Sequence, residues 1–216
     1  MSTLRVFLTA SSRGLTEHKC GEKLAAFALR TAFGESPPLI RDARGKPFVQ
    51  GGRYFISISN SRGICAAAVS DRLVGVDIER KPTDLSDANR VYAGRTDNQL
   101  ILLAERWFYP DETDYVRADP QERFPYVWTA KESLVKLTGD GLSGFSLYPS
   151  VFSDDKHEYL RFDDSLVFGC VCVNKRSGAA FAPAFSKEHS DIDKIGGKSF
   201  DNIHAEFVDI DEIVGL

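Results

Sequence analysis

The run Leu73-Val-Gly-Val-Asp-Ile-Glu79 sets two carboxylates two positions apart in an otherwise apolar stretch. Side chains at i and i+2 of a strand leave on the same face, so Asp77 and Glu79 are expected to point the same way. Adjacent carboxylates repel unless a positive charge sits between them, and a hard divalent cation carrying phosphate oxygens is the usual occupant. A second block, Trp128-Thr-Ala-Lys-Glu-Ser-Leu-Val-Lys136, adds a third carboxylate and two lysines about fifty residues later. Wound into a helix, it brings Glu132 and Lys136 onto one face. Ala130, Leu134 and Leu137 then occupy the opposite side and bury.

Outward from these blocks, Leu4 to Thr9 reads as a first strand. Thr16 caps a helix that runs to about Phe33 and stops at Gly34. Ser36-Pro-Pro38 and Asp42-Ala-Arg-Gly-Lys-Pro47 read as loops. Strands follow over 54–59, 64–69 and 73–79. The short link Ser70-Asp71-Arg72 predicts that the last two form an antiparallel hairpin. Residues 97–109 are helical, with Thr96 as cap. Asp119-Pro120 opens a second long helix, which reaches Leu137 and ends at Gly139. Strands are expected over 145–152, 158–162, 166–174 and 179–185, a loop over 191–202, and a last strand over 206–210.

With 216 residues, 43% hydrophobic and 27% charged, the chain can bury a substantial core and does not read as disordered. A net charge of −4 gives no global reason to expect nucleic-acid binding, so phosphate recognition must come from a few placed cations. The four cysteines form no CxxC pair and read as buried thiols of a reducing compartment. The N-terminal apolar run is too short for a signal peptide, and no stretch reaches the length of a membrane span. The expected location is cytoplasmic.

The order of the fragments carries more than any one of them. Gly45-Lys46-Pro47 precedes Phe55-Ile-Ser-Ile-Ser-Asn-Ser61. Gly75-Val-Asp-Ile-Glu79 follows, then Trp128 to Lys136, then Gly139-Asp-Gly-Leu142. This series resembles the 4′-phosphopantetheinyl transferases of the two-lobed, single-chain surfactin-synthetase type. The resemblance implies transfer of the phosphopantetheine arm of coenzyme A to a serine hydroxyl of an acyl or peptidyl carrier protein, with release of 3′,5′-ADP. It implies a magnesium site of Asp77, Glu79 and Glu132. Glu132 would accept the serine proton, directly or through a metal-bound water, and Lys136 would stabilise phosphate charge. Asp77, Glu132 and Lys136 are thus the implied catalytic set. Lys46 and Pro47 of the Gly-Lys-Pro loop, Arg30, Ser59, Asn60, Ser61, Lys131 and Lys136 are the implied coenzyme A contacts.

Two departures from the family pattern bear on coenzyme A. Asn60 stands where the family usually carries histidine, and it donates without charge. Fewer basic residues precede the first long helix than in many relatives, with Arg13, Lys19 and Lys23 nearby. The alternatives are a homologue that binds coenzyme A or a carrier but transfers weakly, and a metal-dependent phosphoesterase. The implied fold is α+β: two similar lobes, each a small antiparallel sheet with one long helix, related by a pseudo-two-fold. The implied division is 1–75 and 76–216 in one compact monomer. A carrier would dock on the segment 80–125, where Tyr92, Trp107, Phe108 and Tyr109 are mostly expected to serve core packing.

Overall fold

The computed structural model describes residues 3–11, 14–81, 92, 94–175 and 201–214. In chain order the elements are β1 (Leu4–Ala10), α1 (Glu17–Phe33), β2 (Leu39–Arg41), β3 (Pro47–Val49), β4 (Phe55–Ser61), β5 (Ile64–Ser70) and β6 (Val74–Arg80). Then come α2 (Asp97–Trp107), α3 (Pro110–Ala118), α4 (Pro120–Thr138), a 3-10 turn (Leu142–Ser146), β7 (His157–Asp163), β8 (Val167–Asn174), β9 (Asp201–Asn202), β10 (Ala205–Phe207) and α5 (Ile210–Val214).

Two four-stranded sheets, ordered β10-β1-β5-β4 and β6-β8-β7-β9, lie between two long helices. Val6, Leu8, Ala66 and Ala68 of the first sheet share one core with Val74, Val76, Ile78, Val171 and Val173 of the second. On its outer face the first sheet packs Phe7, Cys65, Ala67 and Val69 against Leu24, Ala28 and Leu29 of α1. The second packs Cys170 and Cys172 against Ala130, Leu134 and Leu137 of α4. The layers run helix, sheet, sheet, helix, an α+β arrangement. Every residue of β5 is buried. Its small side chains, Cys65 to Ala68, let α1 and the second sheet approach it from opposite sides.

Local chemistry sets the helix ends. Thr16 Oγ1 accepts from Lys19 N at 3.3 Å, and Gly34, at φ 78°, returns its N–H to Arg30 O. Asp119 accepts from Glu122 N ahead of Pro120, and Gly139, at φ 85°, ends α4. The aromatic residues Tyr92, Phe108, Tyr115 and Phe124 pack α2, α3 and α4 together. Among the described residues, no helix is long and apolar enough to cross a membrane.

The structure corrects three sequence expectations and fills one gap. Strands β5 and β6 do not form a hairpin: β5 pairs with β1 and β4, and β6 pairs with β8. With both edges of β5 taken, the chain leaves through Asp71–Leu73 to start the other sheet. The hairpin is instead β4–β5, turning at Arg62 and Gly63, whose φ values of 46° and 85° suit a tight two-residue turn. Residues 145–152 form no strand; Phe145 lies in the 3-10 turn with its ring 5.6 Å from that of Trp128. Residues 39–41 and 47–49, unassigned but for Pro47, form the β2–β3 hairpin, and the expected loop at 42–46 is its turn. The last strand is β10, at 205–207, paired in parallel with β1, and a helix begins at Ile210. The strand expected over 179–185 lies outside the described residues, as does most of the 191–202 loop.

Candidate active site

Alternation along β6 puts Val74, Val76 and Ile78 into the shared core and Gly75, Asp77 and Glu79 on the face toward α4. The closest approach is at Gly75. A Cβ there would stand 1.9 Å from Ser133 O and 2.6 Å from Leu137 N. Only a glycine admits the helix at that distance, and that crossing sets Glu132 and Lys136 over the strand's carboxylates.

Lys136 Nζ donates to Asp77 Oδ1 at 2.6 Å and to Ser59 Oγ at 2.7 Å. Ser59 Oγ donates to the same Asp77 oxygen at 2.8 Å. The other oxygen, Asp77 Oδ2, is buried and has no hydrogen-bond partner. Glu79 accepts from Ser61 Oγ at 3.2 Å and from the Tyr92 hydroxyl. Burial and then the Asp77 charge raise its pKa above the usual carboxylate range. Glu132 is pushed up to about 7, first by burial and then by Asp77, with Lys136 opposing and Glu79 adding. The three acids therefore feel one another's charge across the strand–helix seam. As their side chains stand, no three His, Cys, Asp or Glu among the described residues close into a metal-ligand group. The cation seated on Asp77 is the Lys136 ammonium.

The neighbouring loop reaches the same helix. Lys46 Nζ donates to Leu137 O, and Arg44 Nη1 donates to Gly139 O at 3.2 Å, so two cations cap the C-terminal end of α4. Burial lowers the Lys46 pKa. Gly45, Lys46, Pro47, Ser57, Lys136 and Gly139 line a cavity of about 240 Å³. Asn60 is exposed and faces Gly21 of α1, where a Cβ would lie 3.3 Å from Asn60 Oδ1.

Two further expected contacts are Arg30 and Lys131. Arg30 is exposed in the last turn of α1, about 14 Å along the axis from Gly21. Lys131 points away from Glu132 into the protein. It is 3% exposed and donates to both oxygens of Glu112, at 3.0 and 3.3 Å. Its charge is spent on that buried acid, which the sequence reading did not single out. Tyr92 on Glu79 was also missed as a site residue, because nothing local ties a tyrosine to an acid thirteen positions earlier.

A strand carboxylate held by a helix lysine, with two further acids near it at the seam between two sheets, marks this α+β protein's candidate site. Residues 73–182, half of the chain, match the 4′-phosphopantetheinyl transferase superfamily, and the chain belongs to it. It is 35% identical over 130 residues to the 4′-phosphopantetheinyl transferase psf-1 of Bacillus pumilus, covering 57% of this chain and 49% of that protein. It is 33% identical over 113 residues to the 4′-phosphopantetheinyl transferase HetI of Nostoc sp. strain PCC 7120, covering 47% and 41%. Against a 4′-phosphopantetheinyl transferase of Bacillus subtilis it is 28% identical over 151 residues, covering 67% and 62%. The matched stretches thus span about half the length of these curated relatives.

Proposed function

We propose that this chain moves the 4′-phosphopantetheine arm of coenzyme A onto a serine hydroxyl of an apo acyl or peptidyl carrier protein. The observation that carries the reading is the seam itself: Glu132 and Glu79 both feel the Asp77 charge, Lys136 sits on Asp77, and Asp77 keeps one buried oxygen without a partner. Three mutually repelling carboxylates with an unpartnered oxygen fit a hard divalent cation, magnesium by the family's chemistry, held by Asp77, Glu79 and Glu132. When bound, that ion would supply charge neutralisation at the pyrophosphate.

The chain's own residues do the rest. Glu132 takes the serine proton on a carboxylate oxygen as the serine oxygen attacks the β-phosphorus. The new bond is serine O–P; the bond that breaks is the pyrophosphate P–O, and 3′,5′-ADP leaves with its electron pair. Lys136 transfers its hydrogen bonds from Asp77 and Ser59 to phosphate oxygens and stabilises the leaving charge. Lys46 and Pro47, beside the small cavity, and Asn60 frame the nucleotide end; exposed Arg30 on α1 is read as a 3′-phosphate contact, and Lys131, buried on Glu112, is left out. The two sheet-and-helix halves are read as lobes about an approximate two-fold, divided near residue 75, in a cytoplasmic monomer.

The test is to incubate the chain with coenzyme A, Mg²⁺ and apo carrier proteins and to weigh the carriers. A gain of one phosphopantetheine arm, abolished in Asp77→Ala and Glu132→Ala, is the expected result. Coenzyme A binding without modification of several carriers sinks the transfer reading in favour of a binding homologue. Full activity in both variants sinks the site assignment.

A further inference from the structure

Strand β6 is an edge of the second sheet and β4 an edge of the first. Three serines bridge them. Val76 N, Ile78 N and Arg80 N donate to Ser57, Ser59 and Ser61 Oγ at 3.0, 3.3 and 3.1 Å. Two of the three hydroxyls pass their proton to the carboxylate one residue before that N–H: Ser59 to Asp77 Oδ1 at 2.8 Å, Ser61 to Glu79 Oε2 at 3.2 Å. The first rung has no acid to hold, because the corresponding residue is Gly75.

A hydroxyl offers one proton and two lone pairs. At Ser59 the proton goes to Asp77, and the lone pairs take Ile78 N–H and the Lys136 ammonium. That hydroxyl is buried and fully engaged, which suits an internal support better than a ligand contact. We propose that Ser59 and Ser61 are positioning residues. They hold the Asp77 and Glu79 carboxylates in preset orientations for the cation, while Ser57 is a structural rung of the same ladder. This rests on the cation reading of the proposed function.

The chain carries its own control, since all three serines satisfy a β6 N–H but only two hold an acid. The experiment titrates Mn²⁺ into the full chain, followed by the electron paramagnetic resonance of free Mn²⁺, for wild type and for Ser57→Ala, Ser59→Ala and Ser61→Ala. Urea midpoints are measured alongside. All three variants are expected to lose stability. Only Ser59→Ala and Ser61→Ala are expected to weaken Mn²⁺ binding, by about 10- to 100-fold, the usual cost of losing a hydrogen bond to a metal ligand. If Ser59→Ala does not fold, Ser61→Ala, nearer solvent, decides the question. Ordinary Mn²⁺ binding in both acid-holding variants, or equal weakening in Ser57→Ala, overturns the proposal alone. A wild-type chain that takes up no Mn²⁺ overturns the cation reading and the proposal with it.

Discussion

Lys131 and Glu132 are adjacent in sequence and differ in environment. Glu132 faces the seam acids, whereas Lys131 is buried on Glu112, which also accepts from Tyr109 N and Val151 N, both at 2.8 Å. The rings of Tyr109 and Phe145 flank the ammonium at 4.9 and 5.5 Å. Replacing Lys131 by Met strands a buried carboxylate and is expected to cost about 3–5 kcal/mol in urea unfolding. Pairing it with Glu112→Gln removes the charge and keeps an acceptor for one of the two N–H groups, so part of that loss should return; an equal loss in the double variant would contradict the ion-pair account. Asp154 makes a pH prediction. It is buried, which raises its pKa, but hydrogen bonds from His157, Tyr159 and Lys156 N outweigh burial and hold it down at about 2 against an ordinary 3.8. A depressed folded pKa means stability that is present above about pH 4 and lost as pH falls toward 2. A shift of nearly two units corresponds to about 2 kcal/mol. The urea midpoint of Asp154→Asn should therefore lie below wild type at pH 6, and the gap should narrow below pH 4 and close toward pH 2. A gap that does not narrow would show that the carboxylate's charge is not the source.

At the scale of elements, the site is one crossing: α4 over β6 at Gly75. Gly75→Ala places a methyl 1.9 Å from Ser133 O, so the helix must lift off the strand. Loss of transfer is expected, with a fall in stability of several kcal/mol by thermal denaturation, typical of overpacking against backbone. Gly139→Ala is the comparison: it meets nothing nearer than Lys46 Cδ at 3.5 Å and bears only its left-handed φ of 85°, at a cost of about 1 kcal/mol. If both cost the same, the close crossing is not what Gly75 provides. The same contrast shows what was legible in the sequence. Helices α1 and α4 carry their signals locally, in Thr16 and Gly34, in Asp119-Pro120 and Gly139, and were readable. The common face of Asp77 and Glu79 follows from strand period alone. The partner of a strand does not: Ser70-Asp71-Arg72 looks like a hairpin turn until both edges of β5 are filled by β1 and β4. Phe145 to Phe152 has a strand's apolar content, but its rings pack into helices, Phe145 on Trp128 and Phe152 on Tyr115. Ser57, Ser59 and Ser61 alternate along β4, so strand period alone puts them on one face. Their role required knowing that β6, from the other sheet, lies against them, and the fate of Lys131 required the packing of α3 on α4.

The whole molecule is held by a core that belongs to neither sheet alone. Val6, Leu8, Ala66 and Ala68 are buried by Val76, Ile78, Val171 and Val173, and the serine rungs lock the edges. The last described residues return to the first sheet: β10 pairs with β1, and Val208 and Ile213 join the α1 core. A fragment of residues 1–75 would thus lack the cover of one sheet face and the strand along one edge. Burial of that apolar face is the main force opposing chain entropy, and so short a piece has little else to offset it. Far-UV circular dichroism of the 1–75 fragment should show no cooperative melt. The full chain should unfold in one transition, with the fluorescence of Trp107 and Trp128, both beyond residue 75, tracking the circular dichroism of the whole. Two separated transitions, or a fragment that melts cooperatively by itself, would mean that the division near residue 75 is one between independent domains. A single shared transition would mean that the acids of β6 and the serines of β4 are held in register by the same cooperative unit, so that a destabilising change in either sheet loosens the site between them.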